Sequence, residues 1–185
     1  MIIVMGEPGA GKTTVLTAAL KQLPGWRSVV YGDLMFDIAR KMGIARKDDI
    51  RKQPVAIQKK IQEKVARALA KEKGKLILDT HCSILTPEGY IPGLPYSLLK
   101  SLRVERLIYI SAPIEHIMAR RQRDTSRARD LQPRAALEEH ALLNRAFLCA
   151  YSALTGAPAT IILNEDGALE KAVERFVALV KSGED

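Results

Sequence analysis

Residues 6 to 13 read GEPGAGKT, set between the apolar run MIIVM and the helix-like run TVLTAAL. Gly6, Gly11, Lys12 and Thr13 fit the spacing G-x-x-x-x-G-K-[ST], a loop whose main-chain N–H groups wrap the phosphates of a nucleotide. Side chains would hold the phosphates away from that backbone, and glycine reaches the positive φ angles that turn successive N–H groups inward. The spacing therefore predicts a triphosphate cradled by Gly6, Glu7, Pro8, Gly9, Ala10 and Gly11. Lys12 is expected on the β and γ phosphates and the Thr13 hydroxyl on a magnesium ion, with Thr14 in the same first turn. A helix opening at the loop adds the partial positive charge of its N-terminus. The alternative is an ordinary glycine-rich turn between a strand and a helix.

Two further groups carry chemistry. Asp79 ends the apolar run KLILD. An acid at a strand end suits the second magnesium position, directly or through water, and its alternative is a turn or cap residue. The stretch RRQRDTSRARDLQPR holds arginine at 120, 121, 123, 127, 129 and 134, six in fifteen residues. It lacks the stacking aromatics of a single-strand binder, and its chemistry suits a clamp on phosphates. A small polyphosphate is the economical partner, so the net charge of +8 does not call for nucleic acid. The other basic region, residues 40 to 75, places Ile57, Ile61, Val65 and Leu69 at helical spacing with Lys and Glu elsewhere, as a solvated helix surface would.

These residues must be positioned by an alternating framework. Apolar runs end at Met5, near Tyr31, at Asp79, at Ser111 and at Leu163, and helical patterns lie at about 11 to 23, 33 to 43, 55 to 73, 113 to 123, 133 to 155 and 168 to 181. The alternation predicts an α/β fold, a parallel five-stranded sheet with helices on both faces. Pro24-Gly25, Gly43, Gly74 and Gly156 close helices, and Pro113 and Pro133 open them. At 185 residues the chain reads as one domain, large enough to hold a core without disulfides or a structural metal. Cys82 and Cys149 are far apart without C-x-x-C spacing, which predicts reduced, individually packed thiols in a cytoplasmic protein. No apolar stretch reaches membrane length.

VMGEPGAGKTTVL, YGDLMFDIARK, LDTHCSILTPEGYIPGLP, RRQRDTSRARD and EEHALLNRAFLCAYSALTGAP, in that order, resemble the archaeal type of adenylate kinase across nearly the whole chain. The long loop from DTH to PGLP is the most specific of these. The resemblance implies magnesium-dependent transfer of the γ-phosphoryl group of ATP to AMP, giving two ADP. It also implies a cytoplasmic enzyme, commonly a homotrimer, on a phosphate-loop NTPase-type fold with a small helical acceptor subdomain at about 33 to 73 and a short lid at about 121 to 134.

Residue by residue, the resemblance implies phosphate contacts from Arg120 and Arg121 at the hinge into the lid, and from Arg127 and Arg129 within it. The lid arginines could instead form a solvated basic loop. In the better-known bacterial pattern an arginine follows the GD-M stretch and another lies four residues past the strand-end Asp. Here Met35, Phe36 and Asp37 occupy the first place and Ser83 the second. Arg51, which matches an arginine of the archaeal type, is then the expected acceptor-phosphate ligand, with His81 either a candidate for the same pocket or a residue that stabilises its loop by a hydrogen bond. Gly32 would let the acceptor purine approach the backbone, or is a plain turn; Met35 is a core residue or a contact. The donor base is expected against Asn164 to Ala168, where Asn164 and Gly167 lie. Another nucleoside monophosphate as acceptor, or a nucleotide switch binding RNA, are the competing readings. The bulky segments PGLPYSLLKSL and NRAFLCAYSAL suggest a face against a neighbouring subunit.

Overall fold

The computed structural model describes residues 1–72, 74–86, 88–123 and 132–183, with Asp48 and Arg51 described by backbone alone. The chain runs β1 (Ile2–Gly6), α1 (Lys12–Leu20), β2 (Arg27–Val30), α2 (Tyr31–Lys41), a 3-10 turn over Lys47–Lys52, α3 (Val55–Ala70) and β3 (Leu76–Asp79). It continues through β4 (Ser83–Thr86), β5 (Gly89–Pro92), α4 (Tyr96–Leu99), β6 (Arg106–Ser111), α5 (Ile114–Arg123), α6 (Arg134–Thr155), β7 (Ala159–Leu163) and α7 (Leu169–Lys181).

The five strands read from the sequence form one parallel sheet in the order β2-β3-β1-β6-β7. Because β1, β3 and β6 are buried on both faces, their sequences are continuous apolar runs, and alternate residues supply two cores. Ile3, Met5, Leu76, Leu78, Leu107 and Tyr109 point to one side, where they meet residues of α2, α3, α4 and α6. Ile2, Val4, Ile77, Ile108, Ile110 and Ile162 point to the other, against α1, α5 and α7. Each such side chain, fully removed from water, contributes about 1.5–3 kcal/mol of transfer free energy.

From β1 the chain crosses to β2 and β3 on one side and then to β6 and β7 on the other. The crevice beyond the carboxyl ends of β3, β1 and β6 is thus the switch point where ligands bind in such sheets. The register places Val4 beside Asp79 and Gly6 beside Ile110, so the phosphate loop and the strand-end acid leave the sheet together.

Two elements differ from the sequence expectation. Helix α2 begins at Tyr31, so Gly32 lies in a helical first turn rather than in a turn after the strand, and Asp33 faces the favourable end of the macrodipole. The segment from DTH to PGLP is not a long irregular loop. It contains the antiparallel hairpin β4–β5 and leads at Pro95 into the one-turn helix α4. Helix α6 fastens it to the core: the Tyr151 hydroxyl donates to the Cys82 carbonyl at 2.7 Å, and Gly93 leaves room where a Cβ would collide with the His81 carbonyl. Cys82 and Cys149 are both free, but only Cys82 is buried.

Candidate active site

The loop between β1 and α1 curls through two left-handed glycines, Gly9 at φ 98° and Gly11 at φ 83°. Gly11 caps α1, and a Cβ there would overlap the Asn164 amide, so glycine is required by both conformation and space. The curl turns the carbonyls outward, where three side chains hold them. Asn164, at the exit of β7, donates Nδ2–H to the Ala10 carbonyl at 2.8 Å. Arg120 donates Nη1–H to the same carbonyl at 3.1 Å, Nη2–H to the Asn164 carbonyl at 2.9 Å and Nε–H to Asp166 at 2.8 Å. Arg121 places Nε and Nη2 on the Pro8 carbonyl at 3.0 and 2.7 Å and Nη1 on Gln132 at 3.0 Å. Among the described residues, the N–H groups of Gly9, Gly11, Lys12 and Thr13 make no backbone hydrogen bond. A concave run of N–H donors at a helix N-terminus is an anion cradle.

Lys12 Nζ is paired with Asp79 Oδ1. Burial pulls the Lys12 ammonium down to about 8, while the adjacent carboxylate favours its charged form. Thr13 follows in the first turn of α1 and is exposed. A buried carboxylate at a strand end and an exposed hydroxyl beside the cradle are hard oxygen donors of the type magnesium takes, with water and phosphate oxygens completing its shell. Thr13 and Asp79 therefore fit a magnesium ion carried in with a nucleotide.

A cavity of about 320 Å³ opens beside the loop, lined by Pro8, His81, Ser83, Arg121, Gln132 and His140, with two apolar side chains of β4. Its floor is a hydrogen-bonded chain. Ser83 donates its hydroxyl to Asn144 Oδ1 at 2.6 Å, and His140 Nε2 lies 3.1 Å from Ser83 Oγ. Since the Ser83 proton goes to Asn144, His140 must be the donor in the second bond, which places its ring proton on Nε2. Tyr90 packs its ring on His140 with centroids 4.8 Å apart.

Under the loop, Glu7 is buried, 5% exposed. Neither of its carboxylate oxygens, nor the Tyr109 hydroxyl, is in hydrogen-bond geometry with a described group, although the Tyr109 and Ser111 hydroxyls stand close enough to act on its charge. Burial raises the Glu7 carboxyl above its ordinary value, and those hydroxyls with Arg145 only partly oppose it.

Of the residues expected from the sequence, the phosphate loop, Asp79, Asn164, Arg120, Arg121 and His81 are brought together. Arg120 and Arg121 grip the outer carbonyls of the loop. Gly32 lies by Lys47, whose ammonium would be 3.3 Å from a Cβ there, and Met35 is half-buried against the core. Arg127 and Arg129 lie outside the described residues, as does the side chain of Arg51. Sequence reading missed His140, Ser83 and Gln132 as site residues. One signal was present for His140: on α6 it and Asn144 interrupt the buried stripe of Leu137, Leu148 and Tyr151, and two polar residues on an apolar stripe mark a polar contact.

The family model described as an AAA domain matches residues 5–138. The chain is 46% identical over 187 residues to the adenylate kinase of Methanopyrus kandleri, covering 98% of each chain. It is 41% identical over 179 residues to that of Thermoplasma acidophilum, covering 96% of this chain and 97% of the other. Among solved structures it is similar to a shikimate kinase from Bacteroides thetaiotaomicron, with a TM-score of 0.62 over 97% of both chains and 15% identity, a likeness of fold alone.

Proposed function

Because the chain belongs to the adenylate kinase family, we propose that it transfers the γ-phosphoryl group of ATP reversibly to AMP, giving two ADP. The observation that carries the reading is the shared wall: the cradle that would hold the donor's phosphates and the cavity that would receive the acceptor's phosphate meet at Pro8. Transfer in line needs donor and acceptor oxygens on opposite sides of one phosphorus, which two adjoining anion sites provide.

In this reading the N–H groups of Gly9, Gly11, Lys12 and Thr13 bind the β and γ phosphates, and Lys12 leaves Asp79 to follow the charge of the transferring group. The bond from the γ phosphorus to the β–γ bridging oxygen breaks as a bond forms from an AMP phosphate oxygen, so no base is required. Thr13 and Asp79 would hold magnesium, which supplies charge neutralisation when bound. Arg120, Arg121 and Asn164 keep the cradle in shape, and Asn164 with its loop borders the donor base. Arg51, His81, Gly32 and Met35 serve the acceptor, on the helices of residues 33 to 73. Arg127 and Arg129 belong to a lid, about 121 to 134, that excludes water.

The reading extends to a homo-oligomer, a trimer, in the cytoplasm. Support comes from large exposed apolar side chains at Tyr96, Leu142 and Leu154 and from the two free thiols. Sedimentation equilibrium giving a clean monomer would remove the oligomer. For the activity, ADP formation is measured with ATP and each nucleoside monophosphate in turn. AMP is expected to be the best acceptor; a higher kcat/KM with another monophosphate would replace it, and no ADP with any would overturn the reading.

A further inference from the structure

The cavity beside Pro8 contains a side chain that neither the phosphate-loop motif nor the arginine cluster accounts for. His140 comes from α6, is 8% exposed, and lines the cavity together with Pro8 of the loop. Its ring is fixed on two sides, by Tyr90 against its face and by Ser83 on Nε2. The Ser83 hydroxyl is itself committed to Asn144, so the ring cannot turn over without breaking that chain. Among the described residues Nδ1 makes no hydrogen bond. In the neutral ring Nδ1 is an acceptor, which repels an anion; once protonated it is a donor carrying charge.

We propose that His140 is a ligand of the acceptor's monoester phosphate and takes up a proton as that phosphate enters the cavity. The inference rests on reading the chain as a nucleoside monophosphate kinase and adds the group that completes its acceptor site. The groups facing the ring are Arg121 from α5, Tyr90 from β5, His81 from the segment after β3, and Glu139 on α6 itself. Without a phosphate, burial first and Arg121 second hold the ring below its ordinary value of 6.5, with the Ser83 main chain and Glu139 opposing more weakly. The free protein therefore carries a neutral ring at neutral pH. A dianion placed between Arg121 and His140 reverses the balance, because an opposite charge in a poorly hydrated cavity favours the protonated form. Arg121, tied to Pro8 and Gln132, supplies one positive charge to this cavity, and a protonated His140 adds to it and to the charge that Arg51 brings to the acceptor phosphate.

The test is titration calorimetry of AMP at about pH 7.5, where a phosphate with a second pKa of about 6 is already dianionic. Measurements in two buffers of different ionisation enthalpy give the number of protons taken up. Wild-type protein is expected to take up a substantial fraction of a proton, and His140→Gln none, with KM for AMP raised about tenfold to a hundredfold and KM for ATP unchanged. A histidine that only shaped the cavity would alter KM without altering proton uptake. Equal uptake in the variant, or an unchanged KM for AMP, overturns the proposal. If the variant fails to bind ATP and so is misfolded, the wild-type protein still decides the matter by NMR. Of its three histidine rings, that of His140 must move to its protonated signal on adding AMP, and an unmoved His140 ring refutes the idea. Failure of the kinase reading looks different: wild-type protein then makes no ADP from ATP and AMP, whereas failure of this inference leaves that turnover intact.

Discussion

The Lys12 ammonium, at the start of α1, and the Asp79 carboxylate, at the end of β3, neutralise each other. The proposed mechanism needs each of them elsewhere, one on a phosphate and the other toward a metal. Nucleotide binding must therefore exchange this ion pair for two new ones, and the pair keeps either charge from standing alone when no nucleotide is present.

Lys12→Met should lower turnover by about a hundredfold to a thousandfold, the usual cost of losing one donor to the transition state. It also leaves Asp79 without its cation, so the protein without nucleotide should melt earlier. The double variant Lys12→Met/Asp79→Asn should recover the melting temperature and not the turnover. Recovery of both would place Lys12 outside the mechanism.

The pH dependence follows from the same residue. Lys12 works as the ammonium and loses its proton at about 8 in the free protein, so kcat/KM for ATP should fall as pH rises through that value. Bound phosphates favour the ammonium, so kcat should hold to higher pH. A kcat/KM that stays level well above 8 would contradict this.

Asn164→Ala removes one of two side chains on the Ala10 carbonyl and the group that packs on Gly11. Arg120 still satisfies the carbonyl, so the loss of stability should be modest, about 1 kcal/mol. The cradle loosens on the donor side, and KM for ATP should rise while that for AMP changes little. Steady-state kinetics with each nucleotide varied in turn would show the opposite pattern if the two sites were exchanged.

Glu7→Gln should stabilise the protein at neutral pH. The raised carboxyl pKa means that the folded state disfavours the charged form, so the stability lost through Glu7 grows as pH rises above the ordinary value of 4.5. The gain in melting temperature for the variant should be a few degrees near neutrality and vanish on acidification below that value. An equal gain at every pH would assign it to packing instead.

Arg51→Ala tests the acceptor clamp where the sequence departs from the bacterial pattern. A guanidinium on the acceptor phosphate predicts a rise in KM for AMP of about tenfold to a hundredfold, little change for ATP, and partial recovery in Arg51→Lys, whose point charge cannot reproduce a planar fork. Weakened ATP with AMP untouched would remove Arg51 from that site.

The sheet was legible in the sequence because strands buried on both faces leave uninterrupted apolar runs, and Met5, Asp79 and Ser111 mark their ends within a residue. The hairpin β4–β5 was not. Its Ile84, Leu85 and Ile91 are largely exposed, so no alternation of apolar and polar residues announces it. The cradle was legible because its glycines are dictated by backbone geometry. The grip of Arg120 and Arg121 on the loop was not, since their partners there are main-chain carbonyls, which leave no trace in residue type. Nor could spacing along α6 tell that Ser83, from another element, would stand beside His140.

The bond from Asn164 to the Ala10 carbonyl joins residues 154 positions apart. During synthesis the whole GEPGAGKT motif emerges almost at once, yet the side chains that set its curl arrive only with α5 and the exit of β7. A nascent chain stalled before β7 carries every residue of the motif without the cradle they form. Affinity for ATP is thus a property of the finished polypeptide, and ligand-induced protease resistance in a series of truncated chains would locate its onset near Asn164.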